Sequence, residues 1–80
     1  MLKLKIVSPE KIMFDGDVES ITVPGTLGSF EILTSHAPII SSLEDGTVMY
    51  QLSDGTKQEF VVHGGFVEVQ KNMVSLCVEL

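Results

Sequence analysis

Glycine, proline or an Asp/Asn turn residue interrupts this chain about every seven to ten residues, and between the interruptions apolar and polar side chains alternate with a period of two. No stretch keeps the 3.6-residue period long enough for a helix, apart from a short helical turn expected near residues 36–43. Punctuation this dense leaves room only for short strands. It predicts an all-β fold, a two-layer β-sandwich or flattened barrel of about nine to ten short strands, in one domain over residues 1–80.

Taken in order, Leu2, Leu4 and Ile6 alternate with Lys3, Lys5 and Val7 in a first strand that Ser8-Pro9-Glu10 ends. Residues 11–14 form a second short strand, and Asp15-Gly16-Asp17 reads as the turn after it. Residues 18–23 form a third, with Val18, Ser20 and Thr22 on one side, Glu19, Ile21 and Val23 on the other, and Pro24 closing it. Further on, Glu44-Asp45-Gly46 and Ser53-Asp54-Gly55 read as two more turns, around TVMYQL and before TKQEFVV. Gly64-Gly65 marks a bulge or a close approach of two backbones. A hairpin over Lys71-Asn72 ends the chain, with Val74, Leu76 and Val78 on one face and Cys77 on the other.

The middle of the chain, GTLGSFEILTSHAPIISSL from Gly25 to Leu43, carries the most constrained backbone. Gly25 and Gly28 frame a tight loop around Thr26 and Leu27, a spacing at which glycine supplies positive φ. Phe30, Ile32 and Leu33 then resume a strand. Pro38 holds Ala37 extended and withholds a backbone donor, so the chain turns a corner at Ser35-His36-Ala37-Pro38 before Ile39 and Ile40 enter the next apolar run.

Charge narrows the choice of partner. The net charge is −6 with five Lys and Arg, a balance that argues against nucleic acid or an anionic bilayer, both of which attract basic surfaces, and favours a protein. No window approaches the roughly 18 apolar residues of a spanning helix, so direct membrane insertion is not expected, and the N-terminal residues do not form a signal-peptide core. Cys77 is the single cysteine, which fits a reducing compartment and a soluble, cytoplasmic or matrix-like chain.

Catalytic chemistry has little to work with. His36 and His63 have no Cys, His, Asp or Glu at the spacing of a zinc site, so no metal, cofactor or catalytic residue is expected. GTLGS lacks the Lys-Ser/Thr ending of a phosphate loop, and Gly64-Gly65 precedes no helix. Cys77 reads as a packed side chain, not a reactive thiol. Lys71 at a hairpin tip raises one alternative, a lipoyl- or biotinyl-type carrier domain, although Gln70 and Asn72 are not the flanks expected of a modified lysine. Apolar side chains on both faces of the strands with Ile21 and Val23, with Val61 between Phe60 and Val62, and with Phe66 beside Val67 leave a third option, a generic protein-interaction sandwich.

GxxGxFEIL followed by xxHAP and an aliphatic pair, with SPEKIMFDGDVESITVPG before and GGFVEVQKNMVSL after, resembles the N-terminal β-sandwich domain of the epsilon subunit of F-type ATP synthases, called delta in mitochondria. The resemblance covers all 80 residues but only the first part of a typical family member, and no counterpart of that family's C-terminal helical hairpin is expected after Leu80. It implies a non-catalytic rotor subunit of the central stalk in F1, peripheral on the cytoplasmic face of a bacterial inner membrane, which couples proton transport to ATP synthesis. It further implies that Ser8, His36 and Ser41 face the gamma subunit and that the Leu27-Gly28-Ser29 tip meets the polar loops of the c-ring. Leu27 and Ser29 are uncharged where the family often has an acidic residue beside that glycine, which points to an apolar or backbone contact with the ring. Ser35 stands where relatives often have glycine. The initiating Met and a finished last strand favour a natural length, and without the hairpin the chain is expected to couple and assemble without inhibiting hydrolysis by that route.

Overall fold

The N-terminal alternation becomes a strand whose even-numbered residues are all buried. In the computed structural model, which describes residues 1–80, Leu2, Leu4 and Ile6 of β1 (Leu2–Val7) are wholly enclosed while Lys3 and Lys5 face outward. Six more strands follow: β2 (Ile12–Val18), β3 (Ser20–Gly25), β4 (Gly28–Leu33), β5 (Ile39–Gln51), β6 (Lys57–Gln70) and β7 (Met73–Val78). All seven belong to one mixed sheet in the order β2-β1-β7-β6-β5-β3-β4, with β1 and β7 parallel and every other pair antiparallel.

The class is the expected all-β one, but the strands number seven because two of them are long. β5 and β6 run 13 and 14 residues and keep a single register from Ile39 opposite Val69 to Gln51 opposite Lys57, broken only around Glu44 and Gly64. At that break the sheet folds over. One half of each long strand joins β2, β1 and β7, and the other half joins β3 and β4. Gly64 and Gly65 make the bend possible with φ of 131° and 136°. Gly65 also has no room for a side chain, since a Cβ there would lie 2.1 Å from the Cys77 carbonyl oxygen.

Two expected turns are strand interior. Asp15-Gly16-Asp17 lies within β2, where Gly16 pairs with Leu4 and its bare Cα leaves space for the Phe14 ring. Asp45-Gly46 lies within β5, where Gly46 pairs with Val62 and accommodates Pro24, 2.7 Å from where a Cβ would be. Pro24 itself falls inside β3, opposite Ser29, and because it offers no N–H the β3–β5 ladder skips from Thr22 to Gly25. Val18 does not share an outward side with Ser20 and Thr22. The chain passes from β2 to β3 at Glu19, and Val18, Ile21 and Val23 are all buried. No helix forms near residues 36–43, and no helix in the structure is long and apolar enough to cross a membrane.

Fifteen buried aliphatic residues drawn from all seven strands make the core, which is what closes the folded sheet into a sandwich. A Phe14–Tyr50 ring contact at 4.7 Å joins β2 to β5 along one side. No polar or charged residue is buried.

Candidate functional site

The β3–β4 hairpin builds the tip that the glycine spacing predicts. Gly25 pairs with Gly28, so Thr26 and Leu27 alone make the turn. Gly28 supplies positive φ, at 122°, whereas Gly25 is needed for close approach. A Cβ on Gly25 would lie 2.8 Å from the Phe30 ring and 2.9 Å from the Gly28 carbonyl oxygen. The Thr26 amide donates to the Ser42 carbonyl at 3.3 Å and pins the tip to β5. Leu27 is left 103% exposed, an apolar side chain with no partner in the chain, and Gly28 and Ser29 are exposed beside it.

The proline corner follows β4. The His36 amide donates to the Leu33 carbonyl at 3.1 Å, and His36 Nδ1 lies 2.7 Å from the Ala37 carbonyl oxygen, so the Nδ1–H tautomer donates there. Ser35, in the left-handed region with φ of 67°, donates its amide to Asn72 Oδ1 at 2.6 Å. Ser41 lies on the inward side of β5, half-buried, with its hydroxyl on the Ser42 carbonyl at 3.2 Å. Ser8 caps the bend after β1, with its amide 2.9 Å from the Lys11 carbonyl. Ser8, His36 and Ser41 therefore lie on three separate segments, after β1, in the corner and in β5, and none hydrogen-bonds another.

Strand register assembles a feature that the sequence hid. Ile12 pairs with Val7, Val7 with Cys77, and Cys77 with Phe66, and these four residues form an apolar row across the outer face of one layer. Ile12 and Phe66 are exposed, Val7 and Cys77 half-buried. A groove of about 280 Å³ lies against this row, lined by Val7, Ser8, Pro9, Phe66 and Cys77 among others. The available signal was parity, because Val7 stands on the outward side with Lys3 and Lys5. Of the apolar residues read as surface candidates, Val61 and Phe66 are exposed, whereas Ile21, Val23, Val62 and Val67 are buried.

The titratable groups do not converge. His63 and Asp45 approach to 3.7 Å, both largely exposed, and no three His, Cys, Asp or Glu side chains gather as metal ligands would. Asp54, at the β5–β6 turn, has its carboxyl pulled below the usual value by the Thr56 amide that donates to it at 2.9 Å. Desolvation pushes the Tyr50 phenol upward. Lys71 does sit at a two-residue hairpin tip, as a carrier lysine would, so local geometry alone does not separate that reading from the stalk reading. What this surface can do is dock, through an apolar tip and an apolar row.

Relatives show the family. The family described as ATP synthase, Delta/Epsilon chain, beta-sandwich domain matches residues 1–80. The ATP synthase epsilon chain of Nitratiruptor sp. is 44% identical over 78 residues, which are 98% of this chain and 60% of that one. That of Chlorobium limicola is 43% identical over 77 residues, 96% of this chain and 88% of the other. The chain thus spans about 60% of the length of the first relative and most of the second. In fold it is similar to a chain of the Euglena gracilis mitochondrial ATP synthase, solved with OSCP, F1 and c-ring, at a TM-score of 0.91 and 22% identity over 96% of this chain and 49% of that one. With a family match over its whole length and a Chlorobium relative matched over most of both chains, this chain belongs to the delta/epsilon family of ATP synthase chains, as its β-sandwich domain.

Proposed function

We propose that the chain is a non-catalytic rotor subunit in the central stalk of an ATP synthase, held by the gamma subunit and touching the c-ring so that ion flow through the ring is coupled to ATP synthesis. The observation that carries this reading is the family match over all 80 residues. In it, Ser8, His36 and Ser41 face gamma, and the apolar row beside Ser8 supplies buried area. The Leu27-Gly28-Ser29 tip meets the polar loops of the ring. The protein works on the cytoplasmic face of a bacterial inner membrane, as a peripheral part of F1.

Mechanically, such a subunit must transmit torque without yielding. Of 48 backbone hydrogen bonds, 39 lie within the strand ladders, so bending the body means breaking ladder bonds cooperatively. The apolar core adds resistance through close packing. Leu27 contributes differently: it is an apolar knob on a short hairpin whose turn is tied to β5 through Thr26, which limits how far it swings. A net charge of −6 steers the body toward a basic partner surface.

The test is purification of tagged chain from its native membranes, with Leu27→Cys carrying a short crosslinker. Gamma should co-purify, and the crosslink should capture the ring subunit. Recovery of the chain alone in gentle, low-salt detergent refutes the reading.

A further inference from the structure

The β6–β7 turn holds a residue that the turn itself does not need. Lys71 and Asn72 have φ of 50° and 61°, which makes this a two-residue turn of the type that prefers glycine in its second position. Asparagine tolerates that conformation less well than glycine does. Its side chain, however, reaches out of the turn. Asn72 Oδ1 accepts the Ser35 amide at 2.6 Å across 37 residues of sequence, while the Asn72 carbonyl accepts the Lys3 amide at 2.9 Å. Every other side-chain hydrogen bond in the molecule joins residues three or fewer positions apart.

The segment this bond reaches is otherwise tied only to its near neighbours in sequence. Between Leu33 and Ile39 the remaining hydrogen bonds are local: the His36 amide to Leu33, and the His36 ring to Ala37. The first reaches only the end of β4, from which the corner springs, and the second stays within the corner. The Asn72–Ser35 bond ties the corner to a different hairpin, at the residue immediately before His36.

We propose that Asn72 is the positioning residue of the His36-Ala37-Pro38 corner, acting through the Ser35 amide to hold that corner in the pose that gamma binds. The proposal rests on the stalk reading above. Asn72 touches no partner; its work is to remove conformations of the corner that would have to be excluded on binding.

Three variants of the full chain test it: Asn72→Gly, which keeps the turn and drops the acceptor; Asn72→Asp, which keeps both; and Asn72→Gly combined with His36→Ala. Purified gamma is the probe, with amide exchange at Ser35 and thermal unfolding measured alongside. Asn72→Gly should speed Ser35 exchange and weaken gamma binding, each by about three- to tenfold, the worth of one hydrogen bond. Asn72→Asp should restore both. In the His36→Ala background, Asn72→Gly should cost no further affinity, a coupling that general loss of stability would not produce. Wild-type binding with unchanged affinity in Asn72→Gly, or additive losses in the double variant, overturns the proposal while leaving the stalk reading intact. A wild-type chain that fails to bind gamma refutes the stalk reading itself, and with it the purpose given to Asn72.

Discussion

Replacing Gly65 with alanine isolates the contact on which the folding-over of the sheet depends. Three glycines share a similar left-handed backbone: Gly28 at 122°, Gly64 at 131° and Gly65 at 136°. An alanine at any of them carries backbone strain of about 1–3 kcal/mol. Their surroundings differ. A Cβ on Gly28 meets nothing within 4 Å, and one on Gly64 meets only the Leu43 carbonyl at 3.9 Å. On Gly65 it would lie 2.1 Å from the Cys77 carbonyl oxygen and 2.9 Å from Val78 Cα, both backbone atoms that no rotamer change can move. β7 must therefore draw away from β6. The bonds at hand are Glu79 N to the Gly64 carbonyl at 3.0 Å and His63 N to the Glu79 carbonyl at 2.7 Å. Losing both costs about 2 kcal/mol beyond the strain. Gly65→Ala should thus lose about 3–5 kcal/mol, a large share of the roughly 4–12 kcal/mol available to a domain this size. Against Gly64→Ala, the extra 2 kcal/mol lowers the melting temperature by a further 8–16 °C or so. Far-UV circular dichroism during heating is the assay, since the chain has no tryptophan. Equal melting temperatures for all three variants would refute the reasoning, because they would mean that strain alone, and not the Cys77 backbone, fixes Gly65.

Three further outcomes are expected. Leu27→Asp should leave stability within about 0.5 kcal/mol, since the side chain touches nothing in the chain, while lowering the recovery of the ring subunit with the tagged chain; a large loss of stability would mean that Leu27 has a structural partner. Ser35→Gly should raise the melting temperature by a few degrees, because φ of 67° costs a serine of the order of 1 kcal/mol and glycine little, and a lower melting temperature would contradict the strain. In a carboxyl NMR titration, Asp54 should show a midpoint below 3.8, because the Thr56 amide favours the charged form. With its pKa depressed on folding, the stabilisation it gives is present above the unfolded value and fades as pH falls through the folded one; a midpoint at or above 3.8 would mean that the turn bond does not hold in solution.

What could be read in advance divides according to how far apart the determining residues lie. The alternation of β1, the Ser53-Asp54-Gly55 turn and the tip between Gly25 and Gly28 are each fixed by neighbours a few residues away, so local pattern sufficed. Asp-Gly at 15–16 and 45–46 misled for an instructive reason. That dipeptide signals a hairpin only if its flanks pair with each other, and here the flanks pair elsewhere, Gly16 with Leu4 and Gly46 with Val62. The glycines serve packing instead, leaving space for Phe14 and Pro24. The same limit governs the surface. Ile12, Val7, Cys77 and Phe66 come from four strands and become neighbours only once every register is set, and the bond from Asn72 to Ser35 leaves no mark on the local sequence of either. A one-residue slip of β7 against β6 would turn Cys77 inward and break the row while leaving every local motif intact. The proposed docking face is therefore a consequence of strand pairing, and under that proposal substitutions that shift register should weaken partner binding even where they leave Ser8, His36, Ser41 and the tip untouched.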